Sequence, residues 1–205
     1  MNRRLFLTAA VLCGIGWGAA EAQTPPAAPP TRIRGTIAAL TGNVLTVNSR
    51  DGTKVDVALA EALTVATVKN VELGSIAAGA YIGVATKTGA DGKLSALEVL
   101  VFPEAMRGRG EGHYAWDLEP GSMMTNGTVK GAVTAASGRE LSIAFKDSGN
   151  TVYVPPNTPV VTFAPAERAD LKPGAPVFII AAKSAEGKFS ADRVTVGKDG
   201  VAPPM

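Results

Sequence analysis

The sequence is poor in the residues that most often carry out chemistry in proteins. Its 205 residues include one cysteine, Cys13, and one histidine, His113. Because Cys13 falls in a segment that we predict to be removed, the remaining chain should hold no disulfide, thiolate metal site or cysteine nucleophile. His113 alone would have to activate Ser122 or another hydroxyl, and no G-x-S-x-G motif is present. We therefore predict that the protein is not an enzyme.

Long hydrophobic runs are confined to the N-terminus. Two arginines precede an apolar stretch at residues 5–19, and an A-x-A cleavage site ends at Ala22. This pattern predicts that residues 1–22 are a signal peptide, which would direct the chain to the periplasm by the general or the twin-arginine route. No later run is long enough for a transmembrane helix, so we do not expect an integral membrane protein after signal removal.

The rest of the sequence contains one pattern twice. Residues 34–47 (RGTIAALTGNVLTV) return as residues 130–143 (KGAVTAASGRELSI), and DGKLSA at 91–96 returns as EGKFSA at 186–191. A register kept over this length indicates two copies of one folding unit. The alignment also makes Gly35 and Gly131 equivalent, each at a predicted bend of a first strand.

Within each copy, apolar residues recur with period two between turn signals, which is typical of half-buried strands. Three strands, a short turn-like insert and two more strands are the layout of a reduced OB-type barrel, with a small open β-sandwich as the alternative. We therefore predict an all-β fold of two tandem small OB-like β-barrels. The barrels are expected at residues 32–102 and 129–197.

An irregular, packed linker is predicted between the barrels, at residues 103–128. Its tyrosine, tryptophan and methionines argue against a flexible connector, which would be rich in glycine and serine and poor in large apolar groups. A proline- and alanine-rich tether at residues 23–31 and a tail at residues 198–205 complete the chain.

The sequence has almost as many acidic as basic residues, and it has few aromatic residues. The formal net charge is +2, and basic and acidic residues are interspersed, so no basic patch for nucleic acid is predicted. OB-type barrels that bind nucleic acid stack bases on aromatics of their second and third strands. The first repeat has no aromatic residue there, and the second has only Phe145 and Tyr153. We therefore expect no nucleic-acid partner.

The first repeat carries the pattern R/K-G-x-V/I, G-x-x-L-x-V and D-G-K-x-x-A, and the second carries it with Ile143 for the valine and Glu186 for the aspartate. This pattern resembles bacterial secreted OB-like domains of unknown function. A second segment, with FPEAMRG at 102–108, WDL at 116–118 and GSMMTN at 121–126, is similar to uncharacterised proteobacterial proteins often labelled metal ABC transporter permeases. Since the mature sequence has no spanning helix, this resemblance implies at most an accessory role in metal transport.

The linker concentrates the side chains that bind transition metals. The candidate ligands are Met106, Glu111, His113, Asp117, Met123 and Met124. Thioether and imidazole donors suit copper or another transition metal, which is one interpretation. In the other, methionine fills irregular gaps and tryptophan buries a large surface, so that these residues anchor the linker to the barrels and no cofactor is bound.

The linker also offers candidates for contact with a ligand or a partner. Arg107 and Arg109 alternate with glycines, which predicts either an anion-binding nest of backbone N–H groups or a loop tip. Tyr114 and Trp116 are the aromatic candidates. We therefore predict an exported, non-enzymatic binding or interaction module for an unknown protein or small ligand. The alternative is a periplasmic metal-handling accessory protein, linked to a metal ABC transport system, that uses the linker.

Overall fold

The computed structural model describes residues 29–131 and 139–203, so the predicted signal peptide and most of the tether lie outside the described residues. This part of the chain forms twelve strands and three one-turn 3-10 helices. The strands are β1 (Thr31–Thr41), β2 (Val44–Ser49), β3 (Lys54–Asn70), β4 (Tyr81–Thr88), β5 (Leu94–Val101), β6 (Gly112–Ala115), β7 (Met123–Val129), β8 (Glu140–Phe145), β9 (Ser148–Tyr153), β10 (Val160–Pro165), β11 (Pro176–Lys183) and β12 (Phe189–Val196). The short helices are Leu73–Ser75, Glu104–Met106 and Arg168–Asp170. The predicted all-β class is confirmed.

The strands form where apolar residues alternate with polar ones. In β2, Leu45 and Val47 are fully buried, whereas Val44 and Asn48 are exposed. This alternation places one face of each strand in a core and the other outside it.

Five strands close the first barrel, in the order β1, β2, β3, β12, β11 and back to β1. The contact between β3 and β12 is parallel and the others are antiparallel. Leu45, Val47, Val57, Ile179 and Val194 lie in its core. Closure pairs every strand on both sides and leaves no free sheet edge in this barrel.

The second barrel closes in the same way, in the order β7, β8, β9, β5, β4 and back to β7. Its single parallel contact joins β5 to β9. Ile82, Val84, Leu141, Ile143 and Val152 are buried in its core. The two barrels therefore repeat one topology.

Each barrel nevertheless combines three strands of one repeat with two strands of the other. The hairpin of β4 and β5, from the first repeat, closes the second barrel, and the hairpin of β11 and β12 closes the first. The predicted assignment of one barrel to residues 32–102 and the other to 129–197 is corrected accordingly. The two hairpins have the same apolar pattern, so the sequence does not distinguish which barrel each one closes. β3, at 17 residues, carries the chain out of the first barrel before β4 begins.

The glycine equivalence also needs correction. Gly35 lies opposite Ser49, and a Cβ on it would be 2.0 Å from the carbonyl oxygen of Asn48. Gly127 takes this place in β7, where a Cβ would be 2.2 Å from the carbonyl oxygen of Ala144. Gly131 lies after β7, and a Cβ there meets nothing within 4 Å. The equivalent of Gly35 is thus Gly127, because the second repeat carries its extra residues in the connection between β7 and β8.

The barrels meet along an antiparallel pairing of β10 with the C-terminal half of β3, with Val68 opposite Phe163 at its centre. β10 also pairs in parallel with β5. Val68, Leu100 and Val161 form a small buried cluster there, flanked by Phe102 and Phe163. The interface is therefore both hydrogen-bonded and apolar.

Candidate functional site

A cavity of about 380 Å³ lies between the two barrels and the linker. Five aromatic side chains line it: Phe102, Tyr114, Trp116, Phe163 and Phe178. Its other walls include Met106, Met124 and Ile180. This volume falls in the range of sites for small molecules, and an apolar wall with a few polar groups is their usual composition. We treat this space, called the inter-barrel cavity below, as the candidate site.

The charged residues of the inter-barrel cavity come mostly from the first barrel. Arg32 lies on β1, Asp192 and Arg193 lie on β12, and Arg109 comes from the linker. Within the described residues, neither Arg109 nor Arg193 forms an ion pair. Three arginines against one aspartate give this lining an excess of positive charge.

The predicted linker is ordered, and β6 is its central element. The predicted range of residues 103–128 needs correction, because residues 123–128 lie in β7, a regular strand of the second barrel. β6 pairs antiparallel with β7, with Tyr114 opposite Met124 and His113 opposite Thr125. Side chains alternate along a strand, so Tyr114 faces the cavity and His113 faces the other way. Gly108 and Gly110, in the loop before β6, and Gly112, the first residue of β6, have positive φ, a conformation that glycine adopts without strain.

Trp116 joins the linker to the first barrel. The Arg32 guanidinium lies 4.0 Å from the ring centroid of Trp116, and that of Arg34 lies 5.6 Å away. A guanidinium over an indole is an attractive cation–π contact. The backbone N–H of Trp116 donates to the Ser122 carbonyl at 2.8 Å, and Ser122 Oγ donates to the Trp116 carbonyl at 3.0 Å. These bonds hold the half-buried indole in the cavity wall.

Asp117 strengthens the same contact. Its carboxylate accepts a hydrogen bond from Arg34 Nη2 at 2.9 Å and lies 3.6 Å from Arg32 Nη1. Burial opposes ionisation of Asp117, but the Arg34 hydrogen bond and both arginine charges outweigh it and lower its pKa below the usual value. Asp117 is therefore ionised at neutral pH and ties the linker to β1.

Asn126 organises the opposite wall. Its Nδ2 donates to the carbonyl oxygens of Arg109 at 3.3 Å and Gly110 at 3.1 Å, and to Tyr114 Oη at 3.1 Å. Its Oδ1 packs on Gly83, where a Cβ would lie 2.5 Å away. Tyr81 Oη also donates to the Arg109 carbonyl at 3.1 Å. Asn126 and Tyr81 thus hold the glycine-rich loop beside the cavity.

The two arginines of the predicted nest have different surroundings. Arg109 lines the cavity, whereas Arg107 is outside it and pairs with Glu104. Arg107 Nη2 also donates to the Gly79 carbonyl at 2.9 Å. The Arg107 hydrogen bond lowers the pKa of Glu104. The structure therefore does not bring the two guanidinium groups to one anion site.

The predicted metal ligands are likewise distributed over different surfaces. His113 Nδ1 lies 2.8 Å from Thr125 Oγ1 and 3.2 Å from Asn150 Nδ2, and its ring stacks on Phe145 at a centroid distance of 6.1 Å. Glu111 accepts a hydrogen bond from the Lys146 N–H at 2.8 Å.

The remaining ligands of that set lie elsewhere. Met106 and Met124 line the cavity, and Asp117 is paired with arginine. Met123 precedes Met124 in β7, so its side chain lies on the other face of that strand. Over residues 29–131 and 139–203, no three His, Cys, Asp or Glu side chains cluster as a metal site would require.

The cavity residues that come from the first barrel were not predicted from the sequence. Arg32 and Arg193 stand on strand faces opposite the barrel core, a pattern that normally indicates exposure to solvent. Glu98 was also missed: it is 3% exposed, and its Oε1 has no hydrogen-bond partner among the described residues. Burial raises the pKa of Glu98 to about 7, although the charges of Arg34 and Arg50 act in the opposite direction. A lone glutamate in the apolar run ALEVLV was the available signal.

Comparison with protein-family models, curated proteins and solved structures finds no match for this chain. Among the described residues, no helix has the length and apolar character needed to cross a bilayer.

Proposed function

We propose that this protein is an exported, non-enzymatic binding module that holds a small molecule in the inter-barrel cavity. The observation that carries the proposal is the cavity itself, which has an aromatic wall and is lined on one side by an ordered linker. Elements from both barrels and the linker build it, so its shape depends on the complete fold. That arrangement is typical of a site between rigid units.

The chemistry of the lining favours binding over catalysis. Among the described lining residues, Asp192 is the only carboxylate and no histidine accompanies it. General acid–base catalysis is most often carried out by a histidine, or by a carboxylate whose pKa lies near the working pH, within hydrogen-bond reach of the substrate. Arginine, amide and aromatic groups can instead hold and orient a ligand.

The periplasmic location is part of the proposal and rests on the sequence alone. The two arginines, the apolar stretch and the A-x-A site of residues 1–22 support export. These residues lie outside the described part of the chain.

The proposal is tested on the mature chain, residues 23–205, in which Trp116 is the only tryptophan. A thermal-shift screen of small charged and neutral organic molecules should yield a ligand that binds at 1:1 stoichiometry and changes Trp116 fluorescence. Ala62→Phe adds a ring to an exposed residue of the cavity wall and should abolish binding. Ala169→Phe, at an exposed alanine outside the lining, is the matched control and should leave it unchanged. Equal binding to wild type and Ala62→Phe, or no ligand at all, would contradict the proposal.

A further inference from the structure

We infer that the ligand of the inter-barrel cavity is an organic anion, with a carboxylate or sulfonate group on a flat apolar body. The inference rests on the proposed function and adds the chemical class of the ligand. Its two halves, an apolar body and an anionic group, follow from different residues.

The apolar half matches the aromatic and aliphatic wall. Phe102 and Phe163 lie 6.2 Å apart between ring centroids, with their planes tilted by 47°. Ile180 faces the same space and is 51% exposed, which makes it the most exposed large apolar side chain in the described part of the chain. Flat apolar groups cover such surfaces well, and aromatic pairs add attraction beyond the buried area.

The anionic half matches the arginines. Arg32, Arg109 and Arg193 line the cavity with Asp192, so the lining keeps a positive excess even after that carboxylate is counted. Arg109 and Arg193 form no ion pair within the described residues. Guanidinium groups bind carboxylates and related oxyanions through paired, charge-assisted hydrogen bonds.

Neighbouring residues hold the Arg32 guanidinium in position before a ligand binds. Stacking on Trp116 at 4.0 Å fixes the guanidinium, and Asp117 lies at one side of it at 3.6 Å. The Arg32 side chain still keeps 28% of its surface exposed. A group fixed before binding loses less conformational entropy when the ligand arrives.

Trp116 lies where the apolar wall meets the arginines. Its ring lines the cavity, and the Arg32 guanidinium lies 4.0 Å from the ring centroid. A ligand that binds Arg32 would therefore also lie close to the indole.

The test compares two isosteric probes, 2-naphthoate and 2-naphthamide, by calorimetric titration of the mature chain. They share size and shape and differ in charge. We expect naphthoate to bind about tenfold more tightly, which corresponds to ~1.4 kcal/mol. The difference should shrink as salt is added, because salt screens the arginine charges.

Substitutions of the arginines test which of them cause the tighter binding of naphthoate. Arg193→Gln and Arg109→Gln should each reduce the naphthoate preference about threefold or more, and Arg193→Lys should retain most of it because the charge stays. Lys93→Gln removes an exposed charge outside the cavity lining and should change nothing.

The outcomes separate the two proposals. If both probes bind equally and Ala62→Phe blocks both, the inference is overturned and the proposed function stands. A naphthoate preference that none of the arginine variants alters also overturns the inference. If neither probe binds the wild-type chain, the inference falls, and the proposed function then depends on the wider screen.

Discussion

At the scale of single residues, Gly35 and Gly127 mark places where a neighbouring strand passes too close for a Cβ. A Cβ would lie 2.0 Å from the Asn48 carbonyl oxygen at Gly35 and 2.2 Å from the Ala144 carbonyl oxygen at Gly127. Backbone atoms would have to move to admit it. We predict that Gly35→Ala and Gly127→Ala each lower the free energy of unfolding by about 1–3 kcal/mol, measured by urea denaturation. Gly131→Ala, where the space is open, should stay within about 0.5 kcal/mol of wild type.

Equal stability of Gly35→Ala and Gly131→Ala would contradict the close approach of β1 and β2. A large loss at Gly131 would instead restore the alignment that makes it the equivalent of Gly35.

Glu98 makes the stability of the fold depend on pH. Burial raises its pKa from 4.5 to about 7, so the folded protein binds more protons than the unfolded chain between these values. The stabilising effect is complete below pH 4.5 and is lost as pH rises through about 7. We predict that Glu98→Gln, which is neutral at every pH, removes a slope of at most about 1.4 kcal/mol per pH unit.

Urea denaturation of wild type and Glu98→Gln at intervals between pH 4 and 8 measures this difference. Glu72→Gln, at an exposed glutamate, serves as the control and should keep the wild-type slope. Parallel pH profiles for wild type and Glu98→Gln would show that the Glu98 carboxyl is not buried in the folded protein.

At the scale of elements, the linker was predicted to be packed, but its boundary with the second barrel was not predicted, since β7 begins at Met123. Its aromatic and methionine content predicted an ordered, packed segment, and β6 pairs with β7 while Trp116 packs against Arg32. The partners of the linker could not be predicted in the same way. Arg34 reaches Asp117 across 83 residues of sequence, and no local pattern encodes such a contact.

For the strands too, some features were predicted from the sequence and others were not. Period-two alternation was sufficient to predict the all-β class and the core positions of β2, such as Leu45 and Val47. It was not sufficient for the alignment of β7, because the shift in numbering that relates β2 (Val44–Ser49) to β8 (Glu140–Phe145) does not relate Gly35 to Gly127. Turn segments tolerate extra residues, so an offset measured on one strand need not hold for its neighbour.

At the scale of the whole molecule, the exchange of hairpins is what the repeat pattern could not reveal. Two repeats with matching apolar faces can close their barrels within a repeat or between repeats, and both arrangements bury the same types of side chain. The cavity is a consequence of the second arrangement, since Arg193 reaches it from β12 while Trp116 reaches it from the linker. Its ligand-binding residues are therefore scattered over the whole sequence.

The hairpin exchange predicts how fragments of the chain should behave. A fragment of residues 23–102 contains β1 to β5, yet in the intact protein β4 and β5 close the barrel of the other repeat. Alone, it should be unfolded or form a dimer in which each copy closes the other, and no folded monomer should appear. Size-exclusion chromatography with light scattering and far-UV circular dichroism would check this. Mixing the fragment with residues 103–205 should restore a one-to-one complex, because the two halves then supply all ten barrel strands. A compact, cooperatively unfolding monomer of residues 23–102 would mean that each repeat closes its own barrel.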